Sequence, residues 1–161
     1  MYVDSWSNKM IIAIDPGTHC GWAIELTSGC VHSGTWMLMD KRLTSPGMRF
    51  LALKKELETL ATVEPITMLF FEEVRRHVGT HAAHVYGGLI ATLMLWCEER
   101  SIPYMSIPVA TIKKHATGKG NADKEKMVAA AKKKWANIKI KDDNQADALW
   151  ILDCGKELVL L

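Results

Sequence analysis

Apolar runs separated by short polar turns characterise the first forty residues. Residues 10–14 form a continuous apolar run that ends in Asp-Pro-Gly, which predicts a buried central strand closed by a turn. Residues 19–26 carry large apolar side chains at alternate positions and predict a second strand, and residues 31–39 predict a third. Because the connections are short, the three strands are expected to form an antiparallel meander.

The rest of the chain alternates helical periodicity with two further strands. The predicted elements are a helix that starts at Ser45-Pro46 and ends near Thr62, a strand at 66–71, a helix at about 81–100, a strand at 102–107, a short helix at 109–115, a mobile polar loop at 117–123, and helices at 123–135 and 142–160. The order β-β-β-α-β-α-β-α predicts an α/β fold with a mixed sheet flanked by helices. A length of 161 residues suits one domain, so residues 1–161 are expected to form a single unit.

Positive charge is unevenly distributed, although the net charge is only +2. Ten lysines crowd the C-terminal third: Lys113, Lys114, Lys119, Lys124, Lys126, Lys132, Lys133, Lys134, Lys139 and Lys141. Such a patch is typical of phosphate binding, and a solvated helix face is the alternative. The chain has no apolar run of membrane-spanning length, residues 1–9 are polar without a secretory signal, and the four cysteines lack metal-ligand spacing. These features predict a cytoplasmic protein with no membrane contact.

Four acids stand at positions where they could meet. Asp15 ends the first apolar strand and Glu72 ends the fourth, so the two carboxylates converge if those strands are neighbours. Asp143 and Asp147 are four residues apart, which places both on one face of a helix. An alternative for Asp143, and for Asp142 beside it, is a simple favourable position at a helix N-terminus.

An all-oxygen set of ligands favours a hard divalent cation. We therefore expect Asp15, Glu72, Asp143 and Asp147 to bind Mg²⁺, with Mn²⁺ able to substitute. Two such ions per site can activate water and stabilise a leaving oxygen in phosphodiester hydrolysis. The pattern thus predicts a nuclease.

Four segments together resemble the RuvC Holliday-junction resolvases. They read IIAIDPGTHCGWAI, LFFEEV, GKGNADKEKM and DNQADALWIL, and they occur in the family's order between residues 11 and 152. The resemblance implies a ribonuclease H-like fold, a divalent metal, a homodimer, and branched DNA, above all four-way junctions, as substrate. The short chain without an extension is similar to bacteriophage-encoded members, which would place it in a bacterial host cytoplasm.

The resemblance carries Asp15, Glu72 and Asp147 over directly as catalytic metal ligands. The fourth ligand is either Asp143 or Asn144, and Asp143 is favoured because a carboxylate neutralises metal charge whereas an amide does not. Lys124 is similar to a family lysine near the scissile phosphate and would stabilise charge on the phosphoryl group.

The same resemblance implies DNA contacts outside the acids. Lys113 or Lys114, together with Lys119, would bind the flanking backbone. Arg75 and Arg76 replace an aromatic residue that bacterial members carry after the glutamate, and arginine can stack on bases or pair with phosphates. Strictness for four-way junctions over other branched DNA is therefore open.

The sequence also leaves two other functions possible, and it does not assign a role to Glu73 or to a group of three histidines. The other functions are an RNA-processing nuclease of the same fold and a non-catalytic module that binds branched DNA. The role of Glu73 is undetermined. His77, His81 and His84 have helical spacing that suits either a transition metal or a face turned toward DNA or a second subunit.

Overall fold

A five-stranded mixed sheet organises the protein in its computed structural model, which describes residues 10–39 and 45–160. The strands are β1 (Met10–Asp15), β2 (His19–Glu25), β3 (Val31–Met37), β4 (Ile66–Glu73) and β5 (Tyr104–Pro108). Their spatial order is β3-β2-β1-β4-β5. The first three strands pair antiparallel, and β1, β4 and β5 pair parallel. The predicted meander and the mixed sheet are confirmed.

Helices cover both faces of this sheet. They are α1 (Met48–Ala61), α2 (Thr80–Glu99), α3 (Val109–Thr117), α4 (Lys124–Lys134) and α5 (Asp143–Leu160). Alternation along β1 separates two cores, because successive side chains of a strand point to opposite faces. Met10, Ile12 and Ile14 pack with α1 and α2, whereas Ala13 packs with α3, α4 and α5.

Small residues let α5 lie close to the sheet. Gly155 faces Phe70 of β4, and a Cβ at Gly155 would stand 2.5 Å from that ring. The helix contacts β1 and β2 most extensively, so its first turn reaches the end of β1 where Asp15 lies. This placement is what brings an acidic helix start to an acidic strand end.

Several predicted boundaries differ from the structure, such as the ends of β3 at Met37 and of β4 at Glu73, and three of the differences have a clear physical cause. Helix α1 begins at Met48 after Gly47, without a side-chain cap, rather than at Ser45-Pro46. Strand β5 begins at Tyr104 rather than at residue 102, because Ile102 still belongs to the turn after α2, where its N–H donates to the Cys97 carbonyl. Helix α3 continues to Thr117, since Gly118 supplies the left-handed residue that ends it.

No helix in residues 10–39 or 45–160 combines the length and apolarity that a membrane crossing requires. All four cysteines are free. The polar segment 1–9 lies outside the described residues, and the single domain over residues 1–161 stays a prediction.

Candidate active site

The ends of two central strands bring the first pair of acids together. β1 and β4 are parallel neighbours with Ile14 opposite Phe71, so Asp15 and Glu72 follow at the same edge of the sheet. The two carboxyl groups are close enough to share a hydrogen bond. The convergence predicted for these two acids, which depended on strand adjacency, is present.

The polar residues at the start of α5 have two different roles, since one caps the helix and the others line the cavity. Asp142 is the cap: its Oδ1 accepts the N–H of Gln145 at 2.8 Å and the hydroxyl of Thr35 at 2.7 Å. Asp143, Asn144 and Asp147 instead line a common cavity with Asp15 and Glu72. The helix-terminus alternative is therefore correct for Asp142, while Asp143 faces the cavity.

Gln145 fixes the orientation of this first turn. Its buried side chain accepts the N–H of Lys141 at 2.8 Å and donates to the hydroxyl of Ser33 at 3.0 Å. It also donates to the carbonyl of Lys139 at 3.3 Å. Buried polar groups that find all their partners make a segment rigid. The α5 start is thus tied to β3 and to the loop before it.

Two lysines border the same cavity of about 290 Å³. Lys113 comes from α3 and Lys124 from the first position of α4. Asp123 places Lys124 by capping α4, since its Oδ1 accepts the Lys126 N–H at 2.9 Å. Five elements, β1, β4, α3, α4 and α5, therefore contribute charged groups to one concave surface.

Crowded negative charge dominates the electrostatics of the cavity. Burial, followed by the charges of Glu72, Asp147 and Asp143, raises the pKa of Asp15 well above its usual value. Burial also raises the pKa of Glu72, although its hydrogen bond with Asp15 and the charge of Lys113 act in the opposite direction. Burial and the charges of Glu72 and Asp143 raise the pKa of Asp147 to about 7. At neutral pH the two lysines of the cavity do not balance the negative charge of its four acids.

Asp143 differs from the other three because it has a direct partner. Lys124 Nζ lies 2.7 Å from Asp143 Oδ2, and this hydrogen bond lowers the pKa of Asp143 and raises that of Lys124. The lysine side chain is 82% exposed. Exposed ion pairs contribute about 1 kcal/mol or less, so a bound ligand can separate this pair readily.

The oxygen donors of the cavity are of the type that a hard divalent cation prefers, but their positions do not yet form a coordination site. Four carboxylates and the Asn144 amide supply only oxygen ligands on this surface, and unbalanced negative charge favours cation binding. Within the described part of the chain, however, no group of three or more His, Cys, Asp or Glu side chains is arranged to hold an ion. Asp143 is engaged by Lys124 at 2.7 Å, and Asp15 and Glu72 lie close enough to share a proton, so metal binding would release the proton and free Asp143 from its ion pair.

The raised pKa of Asp147 predicts an unusual dependence of stability on pH. The folded protein holds a proton on Asp147 up to about pH 7, whereas the unfolded chain releases it near the usual 3.8. This group therefore lowers the free energy of unfolding as pH rises between those values, by an amount of the order of a few kcal/mol. Chemical denaturation of wild type and Asp147→Asn in EDTA, from pH 4 to 8, should show the decline weakened in the variant. Parallel curves would contradict the charge crowding described here.

Several residues predicted to contact DNA lie away from the cavity. Lys114 lines a different depression between α3 and α5, and Lys119 is exposed in the loop before α4. Arg75 and Arg76 are exposed beyond β4, and Arg75 pairs with Glu73 at 3.0 Å. Of the Lys113 and Lys114 alternatives, only Lys113 borders the acids. The DNA contacts of all these residues stay predictions.

Sequence and fold both resemble known resolvases. No protein-family model matches the chain. It is 29% identical over 155 residues to the crossover junction endodeoxyribonuclease RuvC of Wolbachia sp. subsp. Brugia malayi (strain TRS), covering 89% of this chain and 91% of the relative. The structure superposes on Thermus thermophilus RuvC in complex with a Holliday junction substrate with a TM-score of 0.78, at 19% identity and 94% coverage of both chains.

The chain resembles RuvC in sequence and shares its fold. The yeast mitochondrial Holliday junction resolvase Ydc2 shares the fold more distantly, with a TM-score of 0.61, 18% identity, and coverage of 92% of this chain and 78% of the other. Likeness at this identity concerns the fold alone. The predicted ribonuclease H-like mixed sheet is confirmed for this RuvC-like chain, whereas a bacteriophage origin stays a prediction.

Sequence reasoning missed Gly21, a residue that positions the site. Gly21 stands opposite Asp15 in the β1–β2 ladder, and a Cβ there would lie 2.0 Å from the Asn144 carbonyl oxygen. A glycine inside a strand pattern often marks the close approach of another backbone, which was the available signal. Gly21 therefore permits the α5 start to approach β1 in this RuvC-like chain.

Proposed function

We propose that this chain is a divalent-metal-dependent, structure-selective endonuclease that hydrolyses phosphodiester bonds in Holliday junctions and in other branched DNA. The observation that carries the proposal is the cavity where Asp15, Glu72, Asp143 and Asp147 meet Lys113 and Lys124, within a RuvC-like fold. The proposed catalytic set is the four acids and Lys124. The acids would hold Mg²⁺ or Mn²⁺, two ions per site, which would supply charge stabilisation and an activated water.

The residues of the chain would act on the substrate in three ways. Lys113 and Lys124 attract the backbone phosphate and offset charge on the phosphoryl oxygens. Once Lys124 contacts a phosphate, Asp143 is released from its ion pair and becomes available as a ligand. The hydrogen-bonded Gln145 and the tightly packed Gly21 hold the α5 start in place while this exchange occurs.

The deciding experiment compares four-way, three-way, flap and linear DNA with a structured RNA, with and without Mg²⁺. We expect cleavage of four-way junctions that requires the metal, with weaker cutting of other branches. Preferential cutting of RNA would instead support the RNA-processing alternative. Metal-independent binding without any turnover would support a non-catalytic module that binds branched DNA.

A matched series at the α5 start tests the choice of the fourth ligand. Asp143→Asn is expected to reduce cleavage about 100-fold or more, because a carboxylate is lost from the cavity. Asp142→Asn is the control, since asparagine caps helices as well as aspartate does and Asp142 does not line the cavity. Initial rates on a labelled junction give the comparison. A severe loss in Asn144→Ala with full activity in Asp143→Asn would reverse the assignment.

A homodimer is part of the proposal, because cutting a four-way junction symmetrically requires two active sites. Light scattering at micromolar concentration would give twice the chain mass of 18.0 kDa. Gly88 of α2 packs against the Phe50 ring of α1 within the same chain, where a Cβ would stand 2.4 Å from the ring, so it gives no evidence for a contact between subunits.

A further inference from the structure

A buried arginine whose Nε has no hydrogen-bond partner among the described residues lies next to the candidate active site. Arg49, in the first turn of α1, is only 6% exposed. Its Nη2 donates to the sulfur of Met39 at 2.7 Å, and sulfur is a weak acceptor. Among the described residues its Nε has no hydrogen-bond partner. A guanidinium stays charged in proteins, and a buried N–H of such a group that lacks an acceptor is strongly unfavourable.

The arginine borders a cavity of about 380 Å³ that has the chemistry of an anion site. The other polar groups around it are the side chains of Thr18, His77, His81 and Tyr86, and none of the described lining residues is acidic. Gly17 exposes backbone at the same wall. Arginine's planar fork of donors matches the oxygens of a phosphate, and hydroxyl and imidazole groups can add hydrogen bonds.

This cavity, which we call the Arg49 cavity, adjoins the acids through two links. Gly17 follows Asp15 by two residues, so their Cα atoms are at most roughly 7 Å apart. On the other side, the Tyr86 hydroxyl donates to the Glu72 carbonyl at 2.7 Å and accepts the Val74 N–H at 3.0 Å. The Arg49 cavity therefore lies within the reach of a few nucleotides from a phosphate held against Asp15 and Glu72.

We propose that the Arg49 cavity binds a backbone phosphate of the DNA strand that is cut, a few nucleotides from the scissile bond. Arg49 is its main ligand, assisted by His77, His81 and Thr18. The assignment rests on the proposed function for the identity of the anion, although the cavity itself does not. It also explains why an arginine occupies a position of α1 that lies on the same helical face as Leu53 and Leu57.

The test measures junction binding over a range of salt concentrations in the Asp15→Asn background, which is expected to prevent cleavage. Arg49→Met should weaken binding roughly tenfold and reduce the slope of log K against log salt by about 0.7–0.9, the effect of losing one phosphate contact. The DNA-free variant should be as stable as its parent or more so, because it removes a buried donor that has no acceptor among the described residues. Lys54→Met, which removes an exposed cation of the same helix that pairs with Glu99, should leave the slope unchanged.

Two further variants keep the test decisive if Arg49→Met does not fold. Arg49→Lys keeps the charge but loses the fork, and His81→Ala removes an exposed member of the cavity; both should weaken binding by a smaller factor. An unchanged slope and affinity in the folded variants would overturn the proposal. Loss of stability without loss of affinity would show that Arg49 has only a structural role. A changed dimer equilibrium would show that Arg49 pairs with an acidic residue of a second copy of the chain. Either outcome overturns the proposal.

A separate titration distinguishes failure of this inference from failure of the proposed function. Wild-type chain that neither binds nor cuts branched DNA would overturn the proposed function. Inorganic phosphate then tests the Arg49 cavity alone, through the NMR signals of His77 and His81 in the free protein. Saturable shifts that vanish in Arg49→Met would support the anion site with free phosphate as its source, and absence of shifts would overturn it.

Discussion

Asp15→Asn is expected to abolish cleavage of a four-way junction while leaving junction binding intact. The substitution keeps the shape of the side chain but removes a carboxylate that shares the cavity with three others. Loss of one group that stabilises charge in a transition state costs roughly 100- to 1,000-fold in rate, and loss of a metal ligand is expected to cost at least as much. Lys113 and Lys124 remain, and one negative charge near the phosphates is gone, so affinity should be equal or higher.

Stability supplies a second measurement for the same variant. Burial and three neighbouring acids raise the pKa of Asp15 well above its usual value, so its charge destabilises the metal-free fold at high pH. Asp15→Asn should therefore have a higher Tm than wild type at pH 8 in EDTA. Lower activity combined with higher stability is the signature of an acid kept for function.

Asp153→Asn is the matched control for this variant. Asp153 accepts hydrogen bonds from Lys134 at 2.5 Å and His115 at 2.7 Å, away from the cavity, and its pKa is held below the usual value. Its loss should lower stability and spare cleavage, the reverse of Asp15→Asn. Cleavage by Asp15→Asn at the wild-type rate in Mg²⁺ would show that the acid cavity is not the catalytic site.

Gly21→Ala is expected to damage both the fold and the activity through a single methyl group. The added Cβ would stand 2.0 Å from the carbonyl oxygen of Asn144 and 2.6 Å from its carbonyl carbon, both backbone atoms that cannot rotate away. The α5 start must therefore shift. Overpacking of this kind costs about 1–3 kcal/mol, which urea denaturation would measure.

The same shift moves Asp143 and Asp147 relative to Asp15. A misplacement of about 1 Å can reduce a rate about 100-fold, so junction cleavage should fall further than stability alone explains. Gly87→Ala is the control: nothing lies within 4 Å of a Cβ at this exposed helical position. It should stabilise the protein by about 1 kcal/mol and leave cleavage unchanged. Wild-type stability and cleavage in Gly21→Ala would contradict the close contact between β2 and α5.

Local patterns predicted most elements because each segment shows either the apolar spacing of a strand or that of a helix, and not both. The continuous run at residues 10–14 became β1, and the alternation after it became β2, since both periods follow directly from how side chains leave a strand. The start of α1 was wrong because a serine followed by proline resembles a capped helix, whereas Gly47 precedes the first turn without a side-chain cap. Boundaries depend on backbone contacts that a pattern does not contain.

The candidate site was predictable as a set of residue types but not as an arrangement. Neither the choice between Lys113 and Lys114 nor the division of roles between Asp142 and Asp143 can be read from neighbours in the chain. Lys113 and Lys114 differ by about 100° around α3, so only the packing of that helix decides which one faces the acids. Asp142 precedes α5 and caps it, whereas Asp143 is its first residue. Arg49 is visible in the sequence as a charged residue on the apolar face of α1, but this pattern alone does not show that it is buried.

The sequence alone determined the α/β order of elements, the acids at the ends of the first and fourth strands, and the basic C-terminal third. These follow from side-chain chemistry and from periods of two and 3.6 residues, which act over short stretches of chain. The tertiary structure decided which acids meet, which lysines accompany them, and that Arg49 is buried beside Gly17. Those facts depend on the parallel pairing of β1 with β4 and on the close approach of α5 to Gly21, contacts between segments far apart in the chain.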